Sequence, residues 1–576
     1  MSVQRRTFLQ QSTFGMTALS LFPFTSLSDS ESAKPLLQYD DLLTRLIALN
    51  DKGIALMLSR QLSEDKGEWA GGSMNQYEIP NAHSTASMIM RAAIALSNKD
   101  SDYYNNKYLR EALERATACM LRIQYEDGSI DLYSTNFHST PDTAFIVNDF
   151  VPVYKMLKMA SLSSLNRSIE NIYTFLIRAG KCLSVGGIHT ANHRWVVSSA
   201  LACLYSIDKK QKYVDRIEEW LSEGIDQDED GQYAERSVGV YSPICNHMFT
   251  TIGRHLNRPA LFDVARKNLD MSMYYIQPGG EVLTEASDRQ DKAFEAYVFR
   301  YYLQYRYFAI KDNNPQYAAV CQLIENQNLQ SVLSLVPDLI ADDIYRQKVV
   351  EPQPISQDYF KHFKVSGLLR IRRQEKDISV IGKNPTFLVY MNGASVLQSM
   401  RLSAAFYGGL GQFVPENMKI EGNRIVLSRS VTHGYFQPIP KEYRTGVDGW
   451  HEYPRSKREM SEKQTMNYEV VIEENNGVLT IEMSISGTDN VPVSCELNFR
   501  AGGLLSGVEV DEMAEDSYFL TSEEARYTVG HDEIVFGPGK VEHRWAQMRG
   551  MLPKQNGKSV YLTGYTPFLH KFTIGG

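Results

Sequence analysis

The spacing of apolar residues constrains this chain more than any other feature. From Leu36 to about Ile344 they recur with helical period, as in Leu42, Leu43, Leu46 and Ile47 and again in Met88, Met90, Ala93 and Ile94. The same spacing predicts helices over Tyr108–Ile123, Asp142–Met159, Leu165–Ala179, Trp195–Ile207, Tyr213–Gly224, Tyr241–His255, Ala260–Met273, Lys292–Ala309 and Gln316–Leu335. Asp127-Gly128, Gly186-Gly187, Asp230-Gly231 and Pro278-Gly279-Gly280 punctuate them. About a dozen helices without a strong strand pattern predict a toroid of helical hairpins; a superhelical array is the alternative, but no fixed period supports it. After Val349 the pattern changes. Glu351-Pro352-Gln353-Pro354 lies in a linker over 350–360, and alternation then takes over, as in Phe387–Tyr390. Glu469–Ile472 and Gly477–Met483 read as strands joined by Glu474-Asn475-Asn476. The expected fold class is α+β multidomain: an N-terminal (α/α) toroid over 29–349, then a C-terminal antiparallel β-sandwich over 361–576.

The N-terminus carries Gln4-Arg5-Arg6-Thr7-Phe8-Leu9, which resembles a twin-arginine export signal, ahead of the mostly apolar stretch Phe14–Leu27. Ser26-x-Ser28 offers a small-residue cleavage site, so 1–28 is read as an export signal and the mature protein as periplasmic or secreted, without stable membrane insertion. An ordinary secretory signal is the alternative. The formal net charge of −8, from 60 Lys+Arg and 68 Asp+Glu, argues against nucleic acid as a partner. No P-loop and no GxGxxG after a strand points to a nucleotide. The 6 cysteines are scattered without a CxxC pair, which excludes a thiolate zinc cluster of the usual spacing. The 33 tyrosines suit either ordinary packing or a cleft for sugar rings.

Three polar stretches precede apolar helices. Gly186–Trp195 contains His189, Asn192, His193 and Arg194, more reactive groups than a helix cap needs. Asp230–Tyr241 contains Glu235 and Arg236 and leads to Asn246-His247. Its alternating Asp226, Asp228 and Asp230 do not form an EF-hand, because the twelfth position is Ser237. The third pattern occurs twice, in Asn75–His83 and Asn136–Asp142. Capping by Ser84 or Ser139 and sugar binding by Tyr77, His83, Asn136 and His138 explain it equally well. Glu285, Asp288 and Arg289 read as a solvated turn or a rim.

An Asn-His pair after a glycine turn, followed by Asp230-Gly231-x-Tyr233-x-Glu235-x-Ser237-x-x-x-Tyr241, resembles the uronate-eliminating polysaccharide lyases, in particular oligoalginate lyases and heparinase II/III-like enzymes. Trp450-His451-Glu452-Tyr453-Pro454-Arg455 is similar to the W-x-x-x-P-G-T of such lyases, departing from it at Arg455-Ser456. The resemblance implies cleavage of a 4-linked uronic-acid glycan by β-elimination. Removing the C5 proton beside a carboxylate requires hydrogen-bond donors or a cation on that carboxylate, and Asn192, His193 and Arg194 supply both types. Tyr241 is then implied as the acid that protonates O4. It can also act as the base, given nearby positive charge from Arg236, Arg194 or a histidine; His193 and His247 are the other candidate bases. A tyrosine's ordinary pKa of about 10 suits a proton donor. Tyr77, His83, Asn136, His138, His189, Arg236, Tyr435, Trp450 and His451 are the expected substrate-binding residues. The acidic glycan is the expected partner. No cofactor and no catalytic metal are expected, whereas relatives of this type leave room for a structural divalent ion in the β-domain, where His433, His451, His531 and His543 lack diagnostic spacing. The rival readings are a glycoside hydrolase on the same toroid, using two of Asp142, Asp226, Asp230 and Glu235, and a non-catalytic glycan-binding protein.

Overall fold

A computed structural model describes residues 34–576 apart from 134, 445, 447 and 448. The export signal read over 1–28 lies outside the described residues. The chain divides into two compact units, one ending at Ile355 and the other spanning Ser356–Gly576.

The first unit contains helices α1 (Tyr39–Lys52), α2 (Ile54–Ser59), α3 (Ala82–Ser97), α4 (Lys107–Ile123), α5 (Thr140–Ala160), α6 (Asn166–Leu183), α7 (Ala191–Ile207), α8 (Gln211–Ser222), α9 (Tyr241–His255), α10 (Ala260–Met273), α11 (Tyr302–Lys311), α12 (Pro315–Asn328) and α13 (Val336–Ala341). Five hairpins, α3–α4 through α11–α12, make an (α/α) toroid in which α3, α5, α7 and α9 pack side by side as an inner row. Sequence explains the layering. Inner helix α7 buries Val196, Val197, Ala200, Leu201 and Leu204 together with Ser198 and Ser199, whereas outer helix α8 buries only Tyr213 and Ile217. Ser139 caps α5 by accepting from the Asp142 N–H at 3.2 Å, as expected. The cap of α3 is Asn81 rather than Ser84, whose N–H donates to the Asn81 side chain at 3.1 Å.

The ring closes through its chain-distant ends. α1 packs on the turn Leu329–Leu335. The Leu37 N–H donates to Glu325 Oε2 at 2.7 Å, and Arg306 Nη1 donates to the Leu37 carbonyl at 3.0 Å while pairing with Glu325 Oε1 at 3.2 Å. The side chains of Arg306 and Glu325 are 0% and 2% exposed, so removing one leaves the other as an uncompensated buried charge. Arg306→Met should therefore lower unfolding stability by about 3–5 kcal/mol, measured as a fall in the urea midpoint of the helical transition; an unchanged midpoint would contradict this account of closure.

Two expectations for this unit are corrected. Asn136 and His138 do not lie in a loop but in strand β2 (Asn136–Ser139), which pairs antiparallel with β1 (Ile130–Leu132). The helix expected from Lys292 begins only at Tyr302. Upstream, the buried carboxylate of Asp291 accepts from Ser237 Oγ, the Gly239 N–H and Ser287 Oγ, each at 2.9 Å, and these tertiary bonds hold the segment as a loop.

The second unit is a β-sandwich of a nine-stranded and an eight-stranded sheet. Their inner faces form one core, with Leu369, Ile378, Tyr390 and Leu402 from one sheet and Ile425, Val470, Ile481 and Phe572 from the other. The expected hairpin is present, with Ile472 opposite Ile481 in the pair Met460–Asn475 and Val478–Gly487. Pairing between strands is antiparallel except between Ser517–Phe519 and Lys558–Tyr565, with a further isolated parallel bridge from Val541 to Thr563, a departure from the all-antiparallel expectation. No described helix is long and apolar enough to cross a membrane.

Candidate active site

The starts of the inner helices gather the polar groups. Asp142, in the first turn of α5, is nearly buried and accepts from Asn136 Nδ2 at 2.9 Å and Ser139 Oγ at 2.5 Å, with His83 Nε2 at 3.3 Å. These contacts hold its carboxyl below the usual range, although burial opposes them. His83 and Asn136, separated by 53 positions in the chain, thus share one carboxylate (136 − 83 = 53). Next along the row, the His193 ring meets the edge of Phe145 at 6.2 Å and of His189 at 4.6 Å. Burial, with smaller contributions from His189 and Arg289, pushes the His193 imidazole down to about 4, so it is neutral at physiological pH; Asp142 opposes the shift. Its Nδ1 is buried without a hydrogen-bond partner among the described residues.

Helix α7 has no side-chain cap of its own. Glu235, from the loop before α9, takes that place: its Oε1 accepts from the Asn192 backbone N–H at 2.8 Å and from Asn192 Nδ2 at 2.7 Å. A carboxylate at the positive end of a helix is favourable, and here it also fixes which way the amide faces. Glu235 Oε2 stands 3.6 Å from Arg289 Nε. The Arg289 guanidinium lies 5.4 Å from the centre of the Tyr241 ring, and Gln290 Nε2 donates to the Tyr241 hydroxyl. Tyr241, the first residue of α9, is only partly buried and its N–H donates to Ser237 Oγ at 3.2 Å. Asn192, Glu235, Arg289, Gln290 and Tyr241 therefore form one connected chain, with His193 and His189 beside it.

Several expected members of the site are placed elsewhere. Arg194 does not join the group: it pairs with Asp226 at 2.9 Å and Glu223 at 3.3 Å, donates to the Gly224 carbonyl and stacks on Trp195. Its neighbour on α7 turns to one side and Arg194 to the other, as successive helical residues must. Arg289 is a cation beside the phenol. Asn192 is 1% exposed, so it is a buried anchor rather than an open donor, and its Oδ1 has no partner among the described residues. His247 is displaced around α9 and lines a separate cavity with Lys155 and His255. Arg236 pairs with Asp288 at 3.2 Å. His138 stacks on Tyr125 at 3.8 Å, and its Nδ1 lies 3.2 Å from Asp127, a carboxylate of the turn just before β1. Tyr77 is 49% exposed on the loop before α3. Tyr435, Trp450 and His451 are exposed residues of the β unit, where Tyr435 packs against Tyr407, and Arg455 and Arg458 stack on Trp450.

Three of the four carboxylates proposed for a hydrolase are engaged internally: Asp142 with His83 and Asn136, Asp226 with Arg194 and Trp195, Glu235 with Asn192. Among the described residues no three His, Cys, Asp or Glu side chains are grouped as metal ligands. In the β unit, His543 Nε2 instead lies near the Val493 and Gly564 carbonyls and His433 stacks near Tyr407.

A helical toroid followed by a β-sandwich unit is the architecture of a group of polysaccharide lyases, and the chain shares that fold. It is similar in structure to a xanthan lyase from Paenibacillus, with a TM-score of 0.57 and 10% identity over 93% of this chain and 57% of that one. The chain thus spans little more than half of that lyase. It is similar to heparinase III, with a TM-score of 0.50 and 10% identity over 96% of this chain and 87% of that one. For a mutant of the chondroitin AC lyase of Streptomyces coelicolor A3 the values are 0.50 and 10%, over 99% and 82%. At these identities the likeness is one of fold. No protein family and no curated protein matches the sequence.

Proposed function

We propose that the protein is a lyase that cleaves a 4-linked uronic-acid glycan by β-elimination, leaving a 4,5-unsaturated uronate end. The observation that carries the reading is the convergence of a phenol, a guanidinium and a neutral imidazole at the starts of α7 and α9, supported from beneath by the Asn192–Glu235 pair. In this reading Arg289 and the N–H of His193 meet the substrate carboxylate, so that charge moving onto it as the C5 proton leaves is stabilised. Tyr241 takes the C5 proton and delivers one to O4 as the C4–O4 bond breaks. The Arg289 guanidinium lies beside the phenol ring, and Gln290 donates to the hydroxyl. In this reading Tyr77, His83 and Asn136 bind neighbouring sugars, and Tyr435, Trp450 and His451 offer exposed aromatic surface on the β unit. An exported location, no catalytic metal and an acidic glycan as partner complete the proposal.

Screening acidic glycans for new ultraviolet absorbance tests it. Absorbance growing with chain cleavage supports elimination; new reducing ends without absorbance would mean hydrolysis, and binding without either would mean a lectin-like protein. The pH profile adds a second check. Because the folded pKa of His193 lies near 4, below the ordinary imidazole value of about 6.5, the ring stays neutral until pH falls towards 4. The acid limb of kcat/KM should therefore show no His193 titration near 6.5. A limb centred there that disappears in His193→Gln would contradict the placement.

A further inference from the structure

The segment 437–459 joins two paired strands of the β unit, Arg424–Phe436 and Met460–Asn475. It carries Trp450, whose side chain is 60% exposed. An indole in water forgoes the burial that ordinarily stabilises it, so this exposure calls for a use. Two guanidiniums lie over the ring, Arg455 at 5.1 Å and Arg458 at 5.3 Å from its centre. Beside them Lys457 lies over the exposed ring of Tyr443 at 5.5 Å. Aromatic faces thus hold the three cations of the stretch 455–458, which a short turn over Arg455–Lys457 keeps close together.

These cations lack a counter-charge. Other arginines of the β unit pair with carboxylates, as Arg401 does with Glu496, Arg424 with Glu473, Arg429 with Glu416 and Arg526 with Glu524. Arg455, Lys457 and Arg458 pair with no carboxylate among the described residues, although Glu452 and Glu459 flank them in sequence. Arg458 donates only to the Gln437 carbonyl, at 3.0 Å. Stacking occupies the flat face of a guanidinium and leaves its in-plane N–H edge free, the edge that grips a carboxylate or sulfate through two parallel bonds. It also orders the long side chains in advance, so less freedom is lost when an anion docks. An apolar ring flanked by unneutralised N–H edges suits a sugar that bears an acid group. Arg455 stands where the W-x-x-x-P-G-T run of the resembling lyases has glycine, so this cation belongs to the chain and not to the motif.

We propose that Trp450, Arg455, Lys457 and Arg458 form an anchor on the β unit that holds the acid groups of a polysaccharide and takes no part in proton transfer. The class of ligand rests on the proposed function, whereas the anchor itself requires no elimination. Titrating the full chain into a fluorescently labelled heparin dodecasaccharide, a uronate chain bearing carboxylates and sulfates, should give saturable binding at low salt. Arg455→Ser combined with Arg458→Ser should weaken it about 3–10-fold. Arg424→Ser combined with Arg526→Ser removes the same charge from sites already paired and should leave affinity unchanged. Labelled dextran, which is uncharged, should not bind. In the wild-type protein, bound heparin should slow acetylation of Lys457 by an amine-reactive ester, read by mass spectrometry, so one readout needs no variant. Absence of saturable heparin binding, equal weakening in both double variants, undiminished affinity without Arg455 and Arg458, or unprotected Lys457 would each overturn the anchor. Heparin held at this patch by a protein that eliminates no acidic glycan would leave the anchor standing and remove the lyase; elimination with Lys457 unprotected would do the reverse.

Discussion

Tyr241→Phe should abolish turnover while leaving glycan affinity nearly intact. Removing one hydroxyl takes away the group that exchanges protons with the sugar, and well-placed acid–base groups contribute about 10²–10⁴-fold each. The ring remains, as does the guanidinium beside it, so the shape of the cleft is little changed. Initial rates followed by ultraviolet absorbance, with affinity measured by calorimetric titration of an oligouronate, separate the two quantities. A variant that eliminates at the wild-type rate would show that the phenol carries no proton. One that loses binding and turnover together would place Tyr241 among the gripping residues instead.

The second large effect distinguishes Arg194, which the sequence places in the site, from Arg289, which it reads as part of a solvated turn or a rim. Arg289→Met should lower kcat by about 10²–10³-fold with a smaller change in stability, because its side chain is 37% exposed and Glu235 keeps its two bonds from Asn192. Arg194→Met should do the opposite. Its guanidinium bridges the start of α7 to Asp226 and the Gly224 carbonyl, so its loss strands a largely buried carboxylate and lowers the unfolding midpoint. Measuring kcat and urea midpoints for both variants gives a crossed result. If Arg194→Met were stable but inactive, the assignment of the cation would have to be reversed.

That pair shows how far the sequence reaches. The helical period from Leu36 and the switch to alternation after Val349 specify both layers of the fold, because each element must bury one face. Asn192, His193 and Tyr241 are legible because each stands at the start of a helix after a turn, in a recognisable run of residues. Arg194 is misplaced for a simple reason: adjacency in sequence puts neighbours on a helix about 100° apart, so a run of reactive residues cannot all face one ligand. Arg289 and Gln290 are hidden because a loop delivers them, and that loop is held by Asp291 reaching across to Ser237 and Gly239. No local period encodes such a bond. Glu235 lay within the recognised run, but its function as the cap of a helix 43 positions earlier becomes visible only in three dimensions (235 − 192 = 43).

The Leu37–Glu325 bond spans 288 positions, and this has a bearing on how the protein is made. A nascent chain leaving the ribosome can zip its hairpins one after another, but the seam between first and last turns stays open until the segment carrying Glu325 has emerged. Until then Leu36, Leu37 and the inner face of α1 lack their final partners, so a partly translated intermediate exposes a sticky edge at its oldest end.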